Sequence, residues 1–154
     1  MNTEVTHKKI LFESAKLFLR KGFDHVSMDE IAKSSQRSKQ TVYKHFGSKN
    51  DLFEKAFAFK CDELYKISSG IFDPLPNPVN EAFHCLFLRI YDFINSCHFL
   101  ELKRACDNEA RHKDYLLYLF YEAGVKNVLI GLVEHLNEQI SLEMLRITDT
   151  RLAS

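Results

Sequence analysis

The chain has 154 residues, 45% of them apolar, with 21 basic and 21 acidic side chains. That is one large domain, or a small one joined to a medium one, with apolar content for a packed core; a disordered chain is set aside. Zero net charge names no partner, but its distribution is uneven: residues 1–65 hold twelve Lys/Arg against nine Asp/Glu, and the remainder the reverse. Between Lys33 and Lys49 five bases occur and no acid, which suits a nucleic-acid contact.

In chain order, Ile10, Leu11, Ser14, Ala15, Phe18 and Leu19 keep helical period, and Arg20-Lys21-Gly22 ends that run, so helix 1 is expected over about 7–21. Ser27 with Glu30 reads as a capping box for a short helix 2, about 28–34. After the polar turn "SSQR", Ser38 opens helix 3, about 38–45. Gly47 breaks it, and Ser48, three before Asp51, caps helix 4, about 48–67. The stretch "SSGIFDPLPNP" holds all three prolines and is the one linker. Helices 5, 6 and 7 are expected at about 79–95, 99–111 and 114–139. Gly124 and Gly131, seven apart in helix 7, share a face and permit close packing. No strand pattern of useful length occurs. Cys61, Cys85, Cys97 and Cys106 lack CxxC spacing and read as reduced core residues of a cytoplasmic protein. The polar opening "MNTEVTHKK" is unlike a signal peptide, and no apolar run approaches the ~18 residues of a membrane span.

Three helix starts within about two dozen residues need a reason. Helices 2 and 3 with a tight polar turn form a helix-turn-helix. A DNA-reading helix must be short, enter the major groove by its N-terminal half, and lack acids that repel phosphate. Free N–H groups at helix starts also attract phosphate. Ser27, Ser38 and Ser48 each present such a start. On helix 3, Lys39, Gln40, Thr41, Tyr43, Lys44 and His45 form the exposed set, while Val42 and Phe46, four apart, form the buried face. An ordinary helical hairpin with a solvated basic face is the plain alternative.

The segment "KILFESAKLFLRKGFDHVSMDEIAKSSQRSKQTVYKHFGSKNDLFEKAF" resembles the DNA-binding domain of TetR/AcrR-type transcriptional regulators. The carrying features are the Gly22-Phe23 exit, "SMDEIAKS", "SKQTVYKHFGSKNDLF" and their spacing; "YLLYLFYEAGVKNVLIGLVEHL" is similar, more loosely, to the seventh helix of that family. The resemblance implies an all-α fold. An N-terminal helix-turn-helix domain over residues 1–50 would be joined by helix 4 to a C-terminal ligand-binding and dimerisation domain over residues 51–154. It also implies a cytoplasmic homodimer that represses transcription from double-stranded operator DNA until a small-molecule inducer releases it. No enzyme activity, cofactor, metal or membrane is implied. Gln40, Tyr43, Lys44 and His45 fall on the reading helix, Tyr43 where the family commonly sets a tyrosine against the DNA backbone. Thr41, Ser27 and Lys49 match phosphate-contact positions. Gln40 stands where Gly is frequent and could reach a base edge, with adenine its natural partner. The family's Ala-Gly-Val-Ser turn is replaced by Ser35, Gln36, Arg37 and Ser38. Gln36 would cost about 1 kcal/mol in a left-handed turn, and Arg37 is expected to point outward to a phosphate because it cannot bury unpaired.

Helices 5 to 7 are dense in aromatics. Most serve a core; together Phe83, Phe87, Tyr91, Tyr115 and Tyr118 suit a pocket for an apolar or aromatic inducer, with His112 the polar member of the set. His84, His98 and Asn108 could also fix orientation. Two Glu-x-x-His pairs, Glu81/His84 and Glu109/His112, raise a di-metal carboxylate enzyme as a rival, though the two further glutamates such a site needs are not identifiable. A helical interaction module with a degenerate helix-turn-helix is the other rival. The closing "RITDTRLAS" reads as the start of an eighth helix capped by Thr148 or Asp149. Either further residues follow, or Leu129, Leu132, Val133 and Leu136 are partly exposed and the chain self-associates through helices 6 and 7.

Overall fold

The computed structural model describes residues 3–72, 75–76, 79–109 and 114–143, and every regular element among them is helical. These are α1 (Thr3–Lys21), α2 (Met28–Ser35), α3 (Lys39–Phe46), α4 (Lys49–Ser69), α5 (Val79–Ile94), α6 (Cys97–Glu109) and α7. A 3₁₀ turn, Gly70–Phe72, follows α4. The last helix, α7, runs without a break through α-helical Asp114–Phe120, a π-helical turn at Tyr121–Val125 and α-helical Lys126–Ser141. The seven expected helices are present. α1 begins earlier than its apolar period suggested, because Glu4 in the first turn suits the helix dipole and pairs with Lys8 at 2.7 Å. Residues 144–154, where an eighth helix was expected, lie outside the described residues.

The N-terminal helices follow from their buried faces and caps. α1 buries Ile10, Ser14, Ala15, Phe18 and Leu19, and ends at Gly22, whose φ of 81° lets its N–H return to the Phe18 carbonyl at 2.8 Å. α2 buries Met28, Ile31 and Ala32, and α3 buries Val42 and Phe46. α4 is the spine. Leu52, Phe53, Ala56 and Phe57 are buried near its start, with Phe53 edge-on to Phe18 of α1, and farther along Cys61 and Leu64 sit in the same core as Leu102 and Cys106 of α6 and Leu116 and Phe120 of α7. One hydrophobic core therefore runs the length of α4 and joins α1, α2 and α3 to the C-terminal helices.

Both glycines of α7 sit at close approaches. A Cβ on Gly124 would stand 3.0 Å from Leu64 Cδ2, and one on Gly131 would stand 2.4 Å from the Phe72 ring. The π-turn around Gly124 is held by Ser68, whose hydroxyl donates to the Ala123 carbonyl at 3.0 Å, and by Asn127, whose amide donates to Ser68 Oγ at 2.7 Å.

Two sequence expectations change. Cys61 and Cys106 are buried core thiols, but Cys85 is half-buried and Cys97 exposed; all four are free. Apolar burial explains the first pair: it pushes the Cys61 thiol up to about 12 and Cys106 up to about 11. Second, the 27 residues Tyr115–Ser141 form a helix long and apolar enough, by length and composition alone, to cross a membrane. The sequence hid this because polar residues interrupt every apolar run, while the continuous helix spaces its few charges widely. Here that helix packs on α4 through Ala123 and Gly124 and on α6 through Leu116 and Phe120. It leaves Leu117, Tyr118, Leu129, Ile130 and Val133 exposed. Leu132 and Leu136 are half-buried.

Candidate nucleic-acid interface

Three serines open α2, α3 and α4 in the same way. Ser27, Ser38 and Ser48 have extended backbones, and their hydroxyl oxygens accept from the N–H of Glu30, Thr41 and Asp51, each at 3.1 Å. Each satisfies one of the donors that a helix start leaves unpaired. Ser38 also shares a 2.8 Å hydrogen bond with the Thr41 hydroxyl. The carboxylate of Glu30 receives Lys21 from the end of α1, tying α2 to it.

The turn between α2 and α3 keeps a left-handed residue although no glycine is present. Gln36 has φ 57°, ψ 43°, and its N–H and that of Arg37 close the end of α2 on the Lys33 and Ala32 carbonyls, at 3.2 and 2.9 Å. Lys9 of α1 donates to the Gln36 side chain at 2.9 Å, which holds the strained residue from outside. Arg37 departs from the sequence reading. It is half-buried rather than fully outward: Nη1 donates to the Gln36 carbonyl at 3.2 Å, and Nε is enclosed without a partner. The arginine thus lies over the turn, where its stem replaces part of the cover a smaller apolar residue would give.

α3 turns Val42 and Phe46, 0% and 3% exposed, into the core. Its opposite face carries Lys39, Gln40, Tyr43 and Lys44, all exposed, with Thr41 half-buried between them. Gln40, Thr41, Tyr43 and Lys44 line one open depression. His45 leaves this set: it is half-buried and turned to α1, with its ring centroid 5.7 Å from that of His7. His7 stacks on Phe46 at 4.4 Å, and Lys55 of α4 approaches Phe46 from elsewhere at 5.7 Å. Burial, then the charges of His45 and Lys55, lower the pKa of His7.

Lys49, at the start of α4, sits 4.3 Å above the ring of Phe23, itself packed edge-on against Phe53. Lys39 is paired: its Nζ donates to Asp29 Oδ2 of α2 at 2.8 Å, and that hydrogen bond and charge raise its pKa. Sequence reasoning missed Lys9, Phe23 and Asp29. Each acts on a residue ten or more positions away, and no local spacing signals that.

The C-terminal aromatics proposed for a ligand are dispersed. Phe87, Tyr91 and Tyr118 are 67%, 55% and 61% exposed. Tyr115 is partly exposed beside Glu54, and burial followed by that carboxylate's charge and hydrogen bond push its phenol up to about 12. Phe83 is half-buried with its ring 5.9 Å from that of His135, whose Nε2 is enclosed without a partner. Tyr118 lines an open apolar groove with Leu117, Phe120, Tyr121 and Val125. A separate apolar cavity of about 110 Å³ lies among Phe93, Ile94, Phe99, Val125, Val128 and Leu129. His84 and Asn108 are exposed and His98 is half-buried; His112 lies outside the described residues. Glu81 is exposed, the side chain of Glu109 is not described, and among the described residues no group of three or more His, Cys, Asp or Glu could hold a metal.

Residues 10–56, which span these three capped starts, match the model for bacterial regulatory proteins of the tetR family. Over that segment the chain has the DNA-binding domain of the tetR family. It is a transcriptional regulator, not an enzyme. It is 26% identical over 142 residues to the biofilm operon icaADBC HTH-type negative transcriptional regulator IcaR of Staphylococcus aureus, covering 92% of this chain and 68% of that one. Over 54 residues it is 43% identical to the HTH-type transcriptional regulator YdeS of Bacillus subtilis, covering 35% of this chain and 27% of that one. The fold is similar to that of a Mesorhizobium loti protein assigned to the TetR family, with TM-score 0.83 and 24% identity over 97% of this chain and 75% of that one. The flavonoid-responsive regulator FrrA is similar at TM-score 0.69 and 27% identity, over 95% of this chain and 74% of that one.

Proposed function

We propose that this tetR-type regulator is a repressor that binds double-stranded operator DNA as a homodimer in the cytoplasm and is released by a small apolar or aromatic molecule. One observation carries the DNA reading: α3 buries Val42 and Phe46 and presents Gln40, Tyr43 and Lys44 to solvent between serine-capped helix starts. In this reading Gln40 contacts a base edge. Tyr43, Lys44, Thr41, Ser27, Ser38 and Lys49 contact phosphates, and Lys39 and Arg37 belong to the same face. His45 acts from behind it, through α1. The DNA-binding part is residues 1–50, and residues 51–154 bind ligand and dimerise. Repression is supported by the likeness to IcaR, a negative regulator.

The inducer reading is supported by the apolar cavity at Phe93, Phe99 and Val128, by the unpartnered His135 Nε2 beside Phe83, and by the likeness to a flavonoid-responsive regulator. Dimerisation is supported by the exposed Leu129, Ile130 and Val133 on α7, with a copy of the same face as partner. Selection of duplexes from a random library, followed by anisotropy titration at several salt concentrations, tests the whole. Binding that weakens with salt and favours a two-half-site sequence is expected; no salt-dependent binding to any duplex refutes it. Loss of that binding on adding flavonoids or similar aromatics, with a raised melting temperature, tests the inducer.

A further inference from the structure

One acid stands at the edge of the cationic face. Asp29 Oδ2, on α2, accepts from Lys39 Nζ at 2.8 Å. The two are ten residues apart and meet because α2 and α3 pack across the turn. Their side chains are 69% and 50% exposed, so the pair adds little to stability. A carboxylate beside a phosphate-binding face should weaken DNA binding, so its presence needs another account. Lys39 is the first residue of the reading helix, and residues at that end of a recognition helix reach base edges. A lysine there donates to guanine O6 and N7, but a free ammonium is drawn equally to any phosphate. Asp29 alters this balance in two ways. It holds Nζ at one point at the start of the reading helix, and it supplies a fixed counterion, so little is gained by moving Lys39 to the backbone of arbitrary DNA.

We propose that Asp29 determines specificity through Lys39, fixing its ammonium for a guanine edge and withholding it from phosphates. The inference rests on the DNA-binding reading above. Its effect is opposite in sign to that of the other charges on this face: removing Asp29 makes binding tighter and less discriminating.

The test uses the full chain and a duplex it selects from a random library, with each base pair of one half-site then changed in turn. For the unaltered protein, changing one G·C pair should weaken binding about tenfold through loss of the Lys39 contact. Asp29→Asn should cut that penalty to below about threefold, tighten binding to unrelated duplexes, and steepen the slope of log K against log salt by about 0.9, one added phosphate contact. Asp29→Glu should restore the original pattern. Lys39→Ala should lose preference at the same base pair, and Asp29→Asn added to it should only tighten binding to all duplexes alike, by removing one charge that repels phosphate, with no added phosphate contact in the salt slope. A melting temperature of Asp29→Asn close to that of the unaltered protein shows that the fold is intact, and a purely structural role would move neither slope nor base preference. The inference is overturned if Asp29→Asn keeps both the base preference and the salt slope, or if it steepens the salt slope equally without Lys39. Absence of salt-dependent binding by the unaltered protein overturns the DNA reading itself.

Discussion

Ser38 caps the reading helix, and its replacement separates two roles that other substitutions would confuse. Its hydroxyl accepts from the Thr41 N–H at 3.1 Å and meets the Thr41 hydroxyl at 2.8 Å. α3 has only eight residues and cannot hold its shape alone, so its first turn depends on this cap and on burial of Val42 and Phe46. Ser38→Ala should cost about 1 kcal/mol, or roughly 3 °C in melting temperature for a chain of this size. Ser38→Asp should keep the cap, since aspartate accepts the same N–H, and gain about 0.3–1 kcal/mol from the helix dipole. The same carboxylate would face DNA. At roughly 6 Å from a phosphate, with an effective dielectric between about 20 and 80, it costs about 0.7–2.8 kcal/mol, or roughly 3- to 100-fold in affinity. The alanine variant should therefore be less stable and bind somewhat more weakly. The aspartate variant should be as stable as the parent and bind markedly more weakly at low salt. Calorimetry and anisotropy titration on one preparation measure both. A stable aspartate variant with unchanged operator affinity would show that the start of α3 does not face DNA.

Lys49→Ala should weaken binding to all sequences alike and reduce the salt slope by about 0.9, whereas Gln40→Ala should relax preference at one base pair by roughly 1–3 kcal/mol; anisotropy against single-pair variants separates them. Gly131→Ala must displace the Phe72 ring from 2.4 Å; a cost of about 1–3 kcal/mol from overpacking against about 1 kcal/mol gained in helix propensity leaves a net loss, read by urea denaturation. His7 has a folded pKa below its reference value of 6.5, chiefly through burial. A histidine so depressed contributes stability above its unfolded pKa, and that contribution is lost as pH falls below about 6.5. His7→Phe, which retains a ring on Phe46, should flatten that part of the stability–pH profile in denaturant titrations.

Much of the fold is legible in the sequence because its signals are local. Ser27 three residues before Glu30, Ser38, and Ser48 three residues before Asp51 marked three helix starts, and each hydroxyl accepts from the N–H three residues on, although the Glu30 carboxylate pairs with Lys21. The spacing of Val42 and Phe46 gave the buried face of α3, and Gly22 the end of α1. Such features depend on residues three or four apart, whose geometry the helix itself fixes.

Tertiary structure decided what distant residues do to one another. His45 lies in the exposed-looking part of α3, yet α1 covers it with His7. Arg37 covers the turn because Lys9 and two backbone bonds preserve the left-handed Gln36 beneath it. Lys39 reads in sequence as a free cation in an acid-free segment, but Asp29 arrives from the neighbouring helix to pair with it. The C-terminal aromatics show the same limit: composition told that Phe and Tyr abound, but only packing put Phe93 and Phe120 inside and left Phe87, Tyr91 and Tyr118 facing out. Helical period says which residues share a face; which neighbour that face meets depends on crossing angles and on glycine contacts such as Gly124 against Leu64, set only when the helices pack.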